Sequence, residues 1–199
     1  MPRTRSRRDN NLRRQLAYRA ARLMAEDGVS DYATAKWKAA RQAGLEDAKL
    51  LPDNQEIEAA LREYQGLYQS EDQPARLRRL REIAAKVMRD FSEFHPALVG
   101  SVLSGTAGQH SDVNLQLFTD DAKALTMFLL NRRYRFEEGS WRMRRGEQLE
   151  EVPRIRLEVE GVPVTLTVLD RDDERVAPAR GAESPQRARL AEVEALLGR

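Results

Sequence analysis

Between residues 100 and 115 the chain reads Gly100-Ser101-Val102-Leu103-Ser104-Gly105-Thr106-Ala107-Gly108-Gln109-His110-Ser111-Asp112-Val113-Asn114-Leu115. A glycine and a serine that follow the apolar run Ala97-Leu98-Val99 let backbone N–H groups come close to an oxyanion such as phosphate. Val113, Leu115 and Leu117 alternate with polar residues, which predicts a strand. Asp112 and Asn114 then share one face of it, opposite the apolar side chains. The aspartate offers an anionic oxygen; the asparagine offers a neutral carbonyl oxygen and an amide donor. Two bland readings stand beside this one: a tight turn at Gly100-Ser101 and a strand-start role for Asp112. His110, in the glycine loop, is either a phosphate contact or simply exposed.

A second group of residues has the chemistry of nucleic-acid contact. Arg142, Arg144 and Arg145 surround Trp141 and Met143. Charge interleaved with an aromatic ring suits a single-stranded nucleic acid, which is held by its phosphates and by base stacking. Arg76, Arg78, Arg79 and Arg81, and further on Arg132, Arg133 and Arg135, add to the basic surface. The competing reading is a solvated face, because arginine is abundant along the whole chain.

The elements that must position these residues follow from periodicity. Four helices are predicted first. Leu12, Leu16, Ala20 and Leu23 mark one that stops at Gly28. Tyr32, Ala35, Trp37, Ala39 and Ala40 mark a second, capped by Ser30 or Asp31 and ending near Gly44; Trp37, between Lys36 and Lys38, is read as a packing residue. Ile57, Leu61, Tyr64, Leu67 and Tyr68 mark a third, opened by a capping box of Asp53 and Glu56. Leu77, Leu80, Ile83, Ala84, Val87, Met88 and Phe91 mark a fourth, after which His95 ends the helical stretch. Strands are predicted at 97–100 and 113–117, a helix at 122–131, a strand at 134–137, and a hairpin turning at Gly161 between Ile155-Leu157-Val159 and Val162-Val164-Leu166-Val168. Residues 170–184 form a link to a last helix with Leu190, Val193, Leu196 and Leu197. The fold class is therefore α+β, an N-terminal helical region followed by a mixed sheet with helices packed on it. The domains read as a basic tail at 1–10, a helical domain at 11–71, a sheet-bearing domain at 72–170, and a linker with a C-terminal helix at 171–199.

Composition narrows the function classes. The chain has 199 residues and no cysteine, which excludes disulfides and thiolate metal sites; its two histidines, His95 and His110, exclude a histidine-rich zinc centre. No apolar run approaches the roughly 18 residues of a membrane span, so a soluble protein is expected, and the absence of cysteine fits the cytoplasm. The net charge is +2, yet Arg3, Arg5, Arg7, Arg8, Arg13 and Arg14 crowd the start of the chain. These residues are read as a solvated tail or as an arm that contacts phosphate.

The segment from Gly100 to Leu115 resembles the polymerase-β-type nucleotidyltransferases. Gly100-Ser101 holds the Gly-Ser position, Gly105 the next glycine, and Ser111-Asp112-Val113-Asn114-Leu115 the place of Ser-Asp-Ile-Asp-Leu. The family carries a third carboxylate on a later strand, in a Val-Asp-Leu context that reads Val164-Thr165-Leu166 here. The likeness covers about residues 75–170 and implies a nucleotide-binding role for Gly100, Ser101, Gly105 and Ser111. It implies a catalytic place for Asp112, Asn114 and Thr165, and Mg²⁺ bound to the carboxylates, of which Asp112 alone remains as a metal ligand. Leu103 and Ser104 stand where many members carry Ala-Arg. Two missing anionic ligands should weaken metal binding by on the order of several kcal/mol. Glu158 or Glu160, which share a face of the strand before Gly161, would have to supply a replacement. Three functions are compatible with the sequence: an impaired nucleotidyltransferase-like protein that binds nucleotide or RNA, an active enzyme that moves a nucleoside monophosphate from an NTP, and a scaffold whose N-terminal helices hold a protein partner.

Overall fold

The computed structural model describes residues 7–29, 31–45, 50–68, 72–145, 148–176 and 186–198. The chain divides into two compact units. The first comprises Met1–Arg76 with Gly105–Ser111, and the second comprises Leu77–Ser104 with Asp112–Arg199.

The first unit is built on α1 (Arg7–Glu26), α2 (Tyr32–Gln42) and α3 (Asn54–Tyr68). α1 starts at Arg7, inside the stretch read from sequence as a basic tail; Leu12 and Leu16 set the helical register, and the helix extends N-terminally of them. The core joins Leu16, Ala17, Ala20, Ala21 and Leu23 of α1 to Ala35 and Ala39 of α2 and to Ile57, Leu61 and Tyr64 of α3. Alanine at the crossing points lets the helix backbones approach closely. Asp31 caps α2, accepting from the Thr34 amide at 2.7 Å. Asp53 and Glu56 form the capping box of α3, each side chain accepting from the other's amide at 2.8 Å. Arg13 of α1 ties into this box, its Nε 2.7 Å from Glu56 Oε1. Trp37 is 49% exposed, which corrects its reading as a packing residue. The buried side of α2 is Ala35, Ala39 and Ala40, and Trp37 lies two residues away from that stripe.

The second unit carries most of α4 (Gln73–Asp90), the strands β1 (Ala97–Val99), β2 (Val113–Phe118), β3 (Phe136–Arg145), β4 (Gln148–Val159) and β5 (Val162–Leu169), and the helices α5 (Ser101–Ser104), α6 (Ala122–Asn131) and α7 (Leu190–Leu197). The sheet order is β1-β2-β5-β4-β3. β2 and β5 are parallel, and the other neighbouring pairs are antiparallel, so the sheet is mixed. β4 and β5 are joined by a two-residue turn at Glu160 and Gly161, both at positive φ (51° and 79°), as a tight hairpin requires. β3 and β4 run well beyond the apolar alternation that marks them in sequence, as a charged ribbon.

Alternation splits the sheet into two faces. One carries Leu98, Val113, Leu115, Leu117, Val164, Leu166, Val168, Ile155, Leu157 and Val159, all buried. The apolar sides of α4 and α6 are buried in the same unit, with Phe91 of α4 and Phe128 of α6 4.9 Å apart at their ring centroids. The other face carries Asn114, Gln116, Thr165, Thr167, Arg154 and Arg156, together with the buried apolar cluster Ala97, Phe118, Val152 and Leu169. The C-terminal segment covers one end of it. Ala188 bridges Leu98 of β1, Arg187 Nε donates to Gln116 Oε1 at 2.7 Å, and the guanidinium groups of Arg187 and Arg189 lie 5.0 and 5.4 Å from the Phe118 ring. Among the described residues no helix is long and apolar enough to cross a membrane.

Candidate phosphate-binding face

The register places the sequence-predicted residues in a row. Val99 of β1 pairs with Asn114 of β2, Asn114 with Thr165 of β5, and Thr165 with Arg156 of β4. Neighbouring strands lie about 4.8 Å apart, so these positions form one line across the sheet. Gly100 stands at its end with φ +77°, and a Cβ there would lie 3.7 Å from Asn114 Nδ2. The left-handed turn at Gly100 then feeds the single-turn helix α5, whose Ser104 amide donates to the Gly100 carbonyl at 3.0 Å. Arg81 of α4 holds this turn from behind, its Nε donating to the Val102 carbonyl at 3.2 Å; burial pushes the Arg81 guanidinium below its ordinary value. Gly100, Ser101, Asp112, Asn114 and Thr165 thus belong to one unit.

Gly105 and Ser111 belong to the other unit. The loop they bound is fastened by helical glutamines. Gln73 Nε2 donates to the Gly105 carbonyl at 2.8 Å, and buried Gln65 donates to the Thr106 carbonyl at 2.9 Å. The Gly108 amide donates to Ser111 Oγ at 2.9 Å. That amide is engaged within its own loop. His110 packs its ring against Gly28: a Cβ on Gly28 would fall 3.0 Å from His110 Cδ2, and Gly28 also has φ +68°.

Asp112 is half-buried at the start of β2. Burial pushes its carboxyl above the usual carboxylate range, and the nearby charges of Arg156 and Arg154 partly oppose that shift. Its carboxylate makes no hydrogen bond or ion pair among the described residues, while its backbone carbonyl accepts from Asn114 Nδ2 at 3.2 Å. Thr165 is buried, at 4% exposure. Arg156 is exposed and makes neither a hydrogen bond nor an ion pair among the described residues. Arg154, two residues earlier and on the same face, stacks its guanidinium 4.6 Å from the centroid of Trp141, which is 43% exposed.

The residues on this face do not fit the Mg²⁺ pair that the resemblance implies. Asp112 brings a single carboxylate, Asn114 an amide and Thr165 a hydroxyl, and two guanidinium groups stand beside them. Among the described residues no three histidine or carboxylate side chains converge as a metal-holding group. Hard divalent cations need anionic oxygens, and fixed positive charge repels them. The two carboxylates considered as replacements part company. Glu158 lies on the Arg156 side of β4, opposite Pro163. Glu160 sits in the turn, not on the strand, and its carboxylate binds Arg79 and Lys86 of α4, which hold it below the usual range.

The basic clusters also resolve. Arg142 and Trp141 are both exposed, but strand alternation puts them on opposite faces of β3, so they do not interleave on one surface. The side chains of Arg144 and Arg145 lie outside the described residues. On α4, Arg78 pairs with Glu82, Arg79 with Glu160, and Arg81 holds carbonyls, so much of that cluster is committed to the fold. The arginines that do share a face with Trp141 and Asp112 are Arg154 and Arg156, which the sequence reading passed over. The signal was available: in Arg154-Ile155-Arg156-Leu157-Glu158 the charged positions alternate with the apolar ones that define the strand. No family model matches the sequence, and no curated protein or solved structure is detectably similar to it.

Proposed function

We propose that this chain is a nucleotidyltransferase-like protein with impaired catalysis, which binds a nucleotide or RNA on the polar face of its sheet. The observation that carries this reading is the row Val99, Asn114, Thr165, Arg156, with the Gly100-Ser101 turn following Val99. It has the strand arrangement and the Gly-Ser turn of a phosphate-handling site, with neutral and cationic side chains where carboxylates would be needed. Neutral donors and guanidinium groups recognise phosphate oxygens well. Trp141 supplies a ring on which a base can stack. Arg142, exposed on β3, together with Arg144 and Arg145 makes contacts to a nucleic-acid backbone, and a cytoplasmic setting is consistent with the absence of cysteine.

The direct test is a label-transfer assay with α-labelled NTPs, Mg²⁺ or Mn²⁺, and total RNA with cell extract as acceptors, run beside Asp112→Ala. The proposal expects no transfer that depends on Asp112. A second reading, an active enzyme with a reduced metal site, is favoured by one observation: Glu158 shares its strand face with Arg156, whose charge acts on Asp112. Transfer abolished by both Asp112→Ala and Glu158→Gln would establish it in place of the first.

A further inference from the structure

We infer that the polar face holds phosphate without a divalent cation, with the guanidinium groups of Arg156 and Arg154 neutralising the charge. The inference rests on the phosphate-binding reading above and goes further, because it assigns the charge-neutralising groups and predicts how binding responds to metal.

Four observations support it. Arg156 is exposed on the face and engages no acceptor among the described residues, so its five N–H donors remain available to an incoming oxyanion. It stands in register with Thr165, whose side chain is buried, and, one strand further, with Asn114, whose half-buried carboxamide lies on the same line across the sheet. Val99 ends that line, and Gly100 next to it has no side chain, which leaves the backbone of the turn open to close approach. Arg154 follows on the same face, its guanidinium 4.6 Å from the centroid of the Trp141 ring, a contact that restrains it.

Burial disfavours the charged form of Asp112, and the charges of Arg156 and Arg154 act on it. The face also carries Glu158 and, beside Arg156 on β3, Glu137, so it holds no excess of positive charge; what selects an oxyanion is the exposed guanidinium of Arg156, which bonds to neither of these carboxylates. That guanidinium does for the ligand what a metal ion does at a carboxylate cup, and a bound metal would compete with it.

The experiment is isothermal titration of the full chain with ATP, and separately with inorganic tripolyphosphate, each in excess EDTA and in excess Mg²⁺. Arg156→Gln and Arg154→Gln are titrated in parallel, with Arg62→Gln of α3, which pairs with Glu58, as a control in the other unit. Thermal melting checks that each variant is folded. The expected result is binding in EDTA that Mg²⁺ does not strengthen, weakened about tenfold or more by Arg156→Gln and left unchanged by Arg62→Gln. Equal affinity for ATP and tripolyphosphate would assign recognition to the phosphates alone, and tighter ATP binding would add the base; either agrees with the inference. Binding that requires Mg²⁺ would overturn it while leaving the nucleotide-binding reading intact. Binding in EDTA that neither arginine variant weakens would overturn the assignment to this face. Failure of both ligands to bind in either condition would overturn the inference and the reading together.

Discussion

Replacing Asp112 by asparagine should make the protein more stable at neutral pH. The carboxylate is half-buried and has no hydrogen-bond or ion-pair partner among the described residues, and burial raises its pKa in the folded state. A carboxyl whose pKa is higher folded than unfolded is neutral in both states below the unfolded value, where it costs nothing. As pH rises through the unfolded value of about 4 and then through the raised folded value, the unfolded chain gives up its proton first, and stability falls. Above both values the penalty is constant. Partial desolvation of an ion with no direct partner would cost a few kcal/mol if burial were complete; with Asp112 still partly solvated and Arg154 and Arg156 nearby, about 0.5–1 kcal/mol is the appropriate scale. For a chain of this length that corresponds to a gain of roughly 1–4 °C in Tm. The assay is thermal melting of both forms at pH 7.5 and pH 4.5, with urea titration as a check. The gain should be present at pH 7.5 and smaller at pH 4.5. An asparagine variant less stable than the wild type at pH 7.5, or a gain that ignores pH, would show that Asp112 is satisfied in the fold and would refute the view that it is a strained carboxylate held on a binding face.

Three further changes probe the frame around the face. Gly100→Ala should cost about 1–2 kcal/mol by denaturant titration, because alanine must adopt φ +77° while its Cβ meets Asn114 only at an ordinary 3.7 Å contact. Phe91→Ala should cost about 3–5 kcal/mol, since the ring is fully buried with Phe94, Phe128 and Tyr134 around it; a loss under 1 kcal/mol would contradict that packing. Gln65→Ala should cost about 1–3 kcal/mol by removing the donor to the Thr106 carbonyl, and amide exchange within residues 105–111 should speed up.

The parts of the structure that local chemistry dictates could be read directly from the sequence. The Asp53–Glu56 capping box forms as expected because both partners lie within one helical turn, and Gly28, Gly44 and Gly161 sit at positive φ where the chain must stop or turn. The α+β order was legible for the same reason. What was not legible depends on pairing between distant segments. The parallel register of β2 with β5, which sets Asn114 beside Thr165, spans some fifty residues and leaves no mark on either strand. The lengths of β3 and β4 were missed because their outer parts carry charge on both faces and lack an apolar alternation. Arg154 and Arg156 were overlooked because attention to a run such as Arg142 to Arg145 favours residues adjacent in sequence, whereas a strand sends adjacent residues to opposite faces.

The most direct measurement is a backbone amide NMR titration of the uniformly labelled protein with ATP in EDTA. The account predicts that shift changes concentrate at Gly100, Ser101, Asn114, Arg156 and Thr165, with α1 to α3 unaffected. Changes confined to α1, α2 and α3, or none at millimolar ATP, would contradict it and move the function from the polar face of the sheet to the helices.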